Sequence, residues 1–395
     1  MLNLSLKLLA KESTVLAMTQ EISTTFEHHF KNLKDPRVDR TKLYPLVEVL
    51  FVTLCGAICG AESWRDLVLF GEEKLDYLRK HYAFENGIPS KNTFARVFEA
   101  LDTATFKDCF IEWVKSLQAI VNQVIAVDGK ALRNSADKVE GRSAIHMVSA
   151  FATEARLVLA QQAVDEKSNE ITAIPKLLKL LDLKGHIVTI DAMGTQRAIA
   201  KQIIEQGGNY VLALKGNQGT LNEDVRLFLE TEAAKTKNNA ISSQCEHVDK
   251  GHGRIEIRKC YVSNQIDWLT QKSQWEGLKS IVMLEETQES KGKISVERRF
   301  FISSLDTDAE KLANAIRCHW HVENSLHWVL DVVYNEDRST VRKGNAAENM
   351  AIVRHMSLNM LNNAKGKFKN VGIKGLRKKA AWGNQTLSTI LAQGL

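Results

Sequence analysis

Three acidic side chains stand where acids need a reason. Asp128 ends the apolar run Val124-Ile-Ala-Val127, and Asp191 ends the run Ile187-Val-Thr-Ile190. Gly129 follows the first, and Ala192 and Gly194 follow the second, leaving space beside each carboxylate. A short continuous apolar run is the pattern of a strand covered on both faces, and ligands gather outside the carboxyl ends of such strands. If the two strands are parallel neighbours, the carboxylates share one edge and raise each other's pKa, and a divalent cation is their natural partner. Taken singly, each Asp also reads as the cap of a turn. Glu323 is the third acid. On a helix, Ile316, His319, Glu323, Leu326, His327, Leu330 and Tyr334 fall on one stripe. A Glu in that half-apolar stripe faces inward and must be neutral, paired or metal-bound. His319 and His327, at i−4 and i+4, offer a local pairing. Two Asp and one Glu form a hard oxygen set, expected for Mg²⁺ or Mn²⁺ and poor for zinc. The rival set His319, Glu323 and His327 would suit zinc, but it lacks the H-E-x-x-H order and leaves both Asp unused.

These acids need a sheet and a helix to hold them. After residue 120 the chain reads as strand Val124–Val127, a hairpin of Ile145–Ala152 and Leu157–Val164, a short helix at Ile174–Leu181 and strand Ile187–Ile190. Helix Gln196–Gln206 and strand Tyr210–Leu214 follow. The sum is a mixed α/β sheet with helical crossovers. Residues 222–302 turn toward strands and loops, with period-two alternation at Arg254–Val262 and Ile294–Ile302. A long helix then starts near Asp306 or Thr307. Residues from about 20 to 118 read as helical, with a buried face at Leu46, Val49, Leu50, Thr53, Leu54 and Ala57, and Gly60 as a stop. Ser90 is a good N-cap for the next helix. The segment Trp64–Tyr82, the Gly87 turn and that helix suit either a helix-turn-helix presenting Lys91 and Arg96 or an ordinary bundle. Lys130, Arg133, Lys215, Asn217 and Gln218 follow the core strands closely enough to reach phosphates, and Gly251-His-Gly-Arg254 reads as a phosphate nest or a plain turn.

The totals agree with a large globular chain. The 395 residues carry 53 Lys+Arg against 47 Asp+Glu, a net charge of +6, with 44% hydrophobic residues and four prolines. That excludes collagen-like, low-complexity and wholly disordered chains, and the mild positive balance suits a polyanion. Beyond residue 362, Lys365, Lys367, Lys369, Lys374, Arg377, Lys378 and Lys379 stand without an acid between them, a basic tail that is either a solvated face or a polyanion contact. The six cysteines form no C-x-x-C pair and read as reduced, small apolar residues of a cytoplasmic protein. The longest uncharged apolar run, Val49–Ala61, has 13 residues, short of the roughly 20 that span a bilayer. No membrane partner is expected.

Val127-Asp-Gly-Lys130, Thr189-Ile-Asp-Ala-Met-Gly194 and His319-Trp-His-Val-Glu-Asn-Ser-Leu-His-Trp-Val-Leu-Asp331 together resemble the DDE signature blocks of bacterial insertion-sequence transposases. More narrowly, they resemble the H-repeat-associated branch found with Rhs elements. Asp35-Pro-Arg37, Leu54–Trp64, Asn86–Ser90, Glu166–Pro175 and Tyr210–Lys215 extend the likeness from about residue 30 to beyond 360. Residues 1–17 match nothing in it, and Met18 is an alternative start.

The resemblance implies an RNase H-like catalytic core behind a helical, transposase-associated N-terminal domain. It divides the chain into 1–118 (helical, DNA-binding), 119–221 (first part of the core), 222–302 (strand-rich insertion), 303–362 (second part, with the Glu helix) and 363–395 (basic tail). It carries the catalytic, metal-holding triad onto Asp128, Asp191 and Glu323, with Asp128 shared by two Mg²⁺ or Mn²⁺ ions. Such a pair can activate water, relieve phosphate charge and help the leaving 3′ oxygen. The family pattern sets a basic residue four before the Glu and a Lys seven after it. Here these are His319 and Leu330, so Arg317 or His321 stands in as a phosphate contact. The implied partners are double-stranded DNA, as element ends and target, and a second copy in a homodimer, at the nucleoid. The implied activity is cleavage and strand transfer. The alternatives are a nuclease that does not join and a DNA-binding derivative without catalysis.

Overall fold

The computed structural model describes residues 20–117, 122–136, 141, 143–165, 168–235, 240–251, 254–290 and 292–395. Residues 1–17 and Met18, the 118/119 boundary, Glu166, and the nest residues His252 and Gly253 lie outside these.

One nine-stranded mixed sheet organises the chain, in the order β3-β2-β1-β4-β5-β9-β8-β7-β6. Strands β1 (Val124–Ala131), β2 (His146–Ala152) and β3 (Leu157–Ala163) form an antiparallel meander, and the turn of its hairpin places Arg156 at φ 56°. Strand β4 (Ile187–Ile190) runs parallel to β1, and β5 (Asn209–Leu214) parallel to β4. The crossovers are helices α7 (Glu170–Leu178) and α8 (Arg197–Glu205); α8 ends at Gly207, φ 75°, and the Gly208 N–H returns to the Ile203 carbonyl at 3.0 Å.

The segment expected as strands and loops opens instead on α9 (Thr220–Ala233), whose Leu221, Val225 and Leu229 recur at helical spacing and are buried. Then β6 (Ser243–Gly251), β7 (Arg254–Ser263), β8 (Ser280–Ser290) and β9 (Lys293–Ser303) form an antiparallel meander. It does not stand apart from the core sheet: β9 pairs with β5 through Val211↔Ser303 to Leu214↔Phe300.

Helix α10 (Ala309–His319) follows, capped not by Asp306 or Thr307 but by Asp308, which is extended at φ −99° and whose Oδ1 accepts the Lys311 N–H at 3.0 Å. Its apolar stripe (Leu312, Ala315, Ile316) covers one sheet face, over Val124, Ile187 and Val211.

The helical ends of the chain share a core. Helices α1 (20–30), α2 (Leu46–Cys59), α3 (Trp64–Glu73), α4 (Leu75–Leu78), α5 (Lys91–Ala100) and α6 (Thr103–Leu117) precede the sheet. The expected helix Trp64–Tyr82 is divided at Lys74, and α4 with residues 79–90 separates α3 from α5, more than the short turn of a helix-turn-helix. Beyond α10 lie α11 (Trp328–Val332), α12 (Ala346–Ala364), α13 (Ile373–Trp382) and α14 (Asn384–Leu391). Almost all of α12 is buried, packed on α2, α5, α6 and β3. Its Asn349 donates to the Phe98 and Leu101 carbonyls at 2.9 and 3.0 Å, so a polar residue in the core leaves α5's terminal carbonyls satisfied.

The basic segment beyond 362 is folded, not a solvated tail. Arg377, 5% exposed, donates to the Ala57 and Val333 carbonyls and stacks 4.0 Å over the Tyr334 ring. Lys367, Lys369, Lys374, Lys378 and Lys379 do face outward. No single described helix is long and apolar enough to cross a membrane.

Candidate active site

Parallel pairing of β1 with β4 in the register Val127↔Ile190 sets Asp128 and Asp191 on the next rung, one beyond the last paired residues. Neighbouring strands run about 4.8 Å apart, so Asp191, just past the end of β4, and Asp128, inside β1 (which continues to Ala131 rather than ending at Val127), point toward the same face. That face is α10's: Thr189, two before Asp191, hydrogen-bonds His319 Nδ1 at 3.0 Å. Both acids also cap, as the single-residue reading allowed. Asp128 Oδ1 accepts the Gly129 N–H at 2.9 Å and Asp191 Oδ1 accepts the Gly194 N–H at 3.1 Å, leaving each a second oxygen.

Glu323 reaches the site by a route its spacing does not announce. After α10 the chain turns at Trp320 and forms a π turn, Glu323–His327, in which the Trp328 N–H bonds to the Glu323 carbonyl, five residues back. The expected unbroken α stripe is therefore interrupted. Leu326, His327 and Leu330 point inward, whereas the Glu323 side chain is 54% exposed. His327 Nδ1 lies 3.6 Å from Asp128 Oδ2 and 3.5 Å from Glu323 Oε2, and one donor atom from each of the three falls within 4.8 Å of the others. The His327 ring is buried and its Nε2 has no hydrogen-bond partner.

The electrostatics follow from this crowding. Burial pushes the Asp128 carboxyl up to about 7, and the neighbouring charges of Glu323, Asp191 and Glu170 add to it. Burial lowers His319 and His327, so both imidazoles are held toward the neutral form. A bound cation would relieve the repulsion that raises Asp128. The donors are oxygens with one imidazole, a set that accommodates Mg²⁺ or Mn²⁺. The rival His319–Glu323–His327 grouping does not assemble: His319 Nδ1 pairs with Thr189, and the close group around Glu323 takes in Asp128 and His327 without His319.

The residues expected to touch phosphate divide into three groups. Lys130 points inward, with Nζ 2.5 Å from Asp331 Oδ1 and 2.7 Å from Glu336 Oε2 and a side chain 12% exposed. Asn217 and Gln218 donate at 2.6 Å to the Ala192 and Thr195 carbonyls, bracing the loop that carries Asp191. Arg133, Lys215 and Arg317 are exposed, and Arg317 lies 3.3 Å from Asp249. Arg317 and His321 line a cleft of about 610 Å³ between α10 and strands β7–β9, together with Arg254, Arg258, Arg299 and Trp320. The cleft ends at Asn324, beside Glu323.

Sequence reasoning passed over one neighbour of Asp128. Glu170, at the start of α7, accepts or shares a proton with His146 Nε2 at 2.5 Å on the opposite face of β1. A Cβ on Gly129 would lie 2.0 Å from Glu170 Oε1, so this glycine makes room for the Glu170 carboxylate rather than for a ligand of Asp128. The only sequence signal was the block Glu166–Pro175, which has no periodicity pointing to a site.

The sequence model described as "Transposase DDE domain" matches residues 121–360, and that described as "DDE_Tnp_1-associated" matches residues 27–114. "H repeat-associated putative transposase YhhI" of Escherichia coli K12 is 45% identical over 370 residues, covering 92% of this chain and 97% of that protein. "Putative transposase YncI" of Escherichia coli O157:H7 is 43% identical over 355 residues, covering 88% and 90%. A shorter match, 42% over 69 residues and 18% of this chain, is to "Inactive transposase YbfQ" of Escherichia coli K12. With the DDE domain matched over residues 121–360 and a 45% identical relative matched over 92% of this chain, the chain belongs to the DDE transposase family, in its H-repeat-associated branch.

Proposed function

We infer that this protein binds the ends of an insertion sequence and catalyses divalent-metal-dependent DNA cleavage and strand transfer, on an RNase H-like core formed by β1–β5 with α10–α11. The observation that carries this reading is the register of β1 and β4. It sets Asp128 and Asp191 side by side, beneath the turn that brings in Glu323.

Asp128, Asp191 and Glu323 would hold two Mg²⁺ or Mn²⁺ ions, which when bound supply a nucleophilic water and charge relief at the scissile phosphate. The chain's own residues do the rest. Asn217 and Gln218 fix the Asp191 loop, Thr189 and His319 fix the floor of the site, and His327 keeps Asp128 and Glu323 apart when no cation separates them. DNA would approach along the cleft bearing Arg317 and His321, with Arg133 and Lys215 at the rim. Lys130 acts inside the protein, and Asn217 and Gln218 act on the Asp191 loop. A homodimer holding two element ends, and the five-part division of the chain given above, belong to the same proposal.

The test is a cleavage and strand-transfer assay on DNA carrying the element's ends with Mg²⁺, comparing wild type with Asp128→Asn and Glu323→Gln. Each variant should lose cleavage by about a thousandfold, about 4 kcal/mol of barrier, with DNA binding retained. Equal cutting by all three proteins rejects the triad, and cutting without joining makes the protein a nuclease.

A further inference from the structure

A second group of metal-ligating side chains lies away from the three acids, where the outermost strand meets the start of α10. Cys245 and His247 are two apart on β6 and so share a face. Glu310 stands in the first turn of α10, and His247 Nε2 is 2.8 Å from its Oε2. One sulfur, nitrogen or oxygen atom from each of Cys245, His247 and Glu310 lies within 4.8 Å of the other two. Tetrahedral zinc with bonds of 2.0–2.3 Å sets its ligand atoms about 3.3–3.8 Å apart, so a small rotation of the exposed His247 and Glu310 side chains brings them in toward the half-buried Cys245. Cys260, buried, is the direct cross-strand partner of Cys245, so its thiol lies on the same face of the sheet, just outside that group of three.

We propose that Cys245, His247, Glu310 and Cys260 form a zinc site that staples the edge strand β6 to the first turn of α10. The donor types select the metal: two sulfurs and an imidazole are poor ligands for Mg²⁺ and good ones for zinc. An ordinary ion pair accounts for His247 and Glu310 but gives no part to the two thiols, which face each other and the carboxylate across three separate elements. The location has a structural use. Apart from this cluster β6 is largely exposed and has only β7 beside it, and α10 otherwise reaches it through the Ala309 N–H to Ser243 Oγ at 3.3 Å and the Arg317–Asp249 ion pair at 3.3 Å. The far end of α10 carries His319 and leads into Glu323, so a staple at its start fixes the helix that delivers the third acid.

The full chain, stripped with a chelator under reducing conditions, is titrated with ZnCl2 against a chromophoric competitor and separately with CoCl2. Wild type should take up one tightly held zinc, and cobalt should give a tetrahedral visible spectrum with a thiolate charge-transfer band. Cys245→Ser should abolish most of that band, and His247→Ala, an exposed substitution that leaves the core intact, should weaken zinc binding at least tenfold. Asp128→Asn should leave both readouts unchanged, which separates this site from the catalytic metals. Equal zinc binding by wild type, Cys245→Ser and His247→Ala overturns the proposal. So does a Cys245–Cys260 disulfide in protein purified without reductant whose reduced form takes up no zinc.

Discussion

At the scale of single residues, two side chains next to Asp128 have work that their letters hide. Gly129 is required by volume: an added methyl group would collide with Glu170 Oε1 and displace the carboxylate from His146. Gly129→Ala should therefore cost about 1–2 kcal/mol, read as a lower unfolding midpoint, and Glu170→Ala should relieve most of it. Simple additivity of the two substitutions would show that the glycine serves something else. Lys130 is the other case. As a phosphate contact it would be dispensable for stability, but it sits between Asp331 and Glu336, and Glu336 is buried. Lys130→Met removes the cation between them, leaving Asp331 without it and Glu336 with Arg354 alone, and should destabilise the protein by about 3 kcal/mol. Chemical denaturation in the absence of DNA checks this, and an unchanged midpoint would return Lys130 to the DNA surface.

At the scale of elements, legibility followed the strength of the period. Strand β4 was readable to its exact ends and β5 to within one residue, because each is a short, largely apolar run, whereas only the first half of β1 was, since beyond Val127 it continues through Asp128-Gly-Lys-Ala131 with no apolar signal. Strands β6 and β8 were not. The first is an edge strand with polar residues on both faces, and the second is buried only in its first half, so neither alternates. The placement of Asp191 was legible, since it follows the last residue of β4, whereas Asp128 lies inside β1, which runs on beside β2 to Ala131. The surroundings of Glu323 were not legible, because a π turn is an insertion of one residue into a helix and leaves no composition signal. That turn makes a sharp prediction. Removing Ser325 should let the segment close into an α-helix and swing Glu323 by about 100° relative to His327. The variant should keep its far-ultraviolet circular dichroism and lose metal-dependent cleavage. Retained cleavage would mean that the π turn does not aim Glu323.

At the scale of the whole molecule, the boundaries read from composition describe segments of a core that is continuous through them. Helix α12 is the keel on which α2, α5, α6 and β3 all rest, and α13 and α14 close over α2, with the Trp113 indole donating to the Gly394 carbonyl at 2.5 Å. Buried charge lies along this keel. The Arg354 guanidinium on α12 reaches Glu336 Oε1 at 3.3 Å, and with Lys130 it holds the Glu336 carboxyl below its usual range despite burial. Burial pushes His355, one residue on, down to about 4 from 6.5. Both groups have lower pKa values folded than unfolded, so the unfolded chain binds more protons as the medium turns acidic. The stability His355 contributes is complete above pH 6.5 and is lost as pH falls through about 4, and that of Glu336 is present above 4.5 and is lost in more acid medium. For His355 alone the loss amounts to about 3 kcal/mol. His355→Gln cannot take up that proton, so its urea midpoint should decline less between pH 7 and pH 4 than that of wild type, whatever its offset at pH 7. Parallel declines would mean that His355 is protonated in the folded state or that the core opens elsewhere first. Because α12 joins the N-terminal helices to the sheet edge, the decline should follow one transition by fluorescence and by circular dichroism, with α1–α6 and β1–β5 melting together.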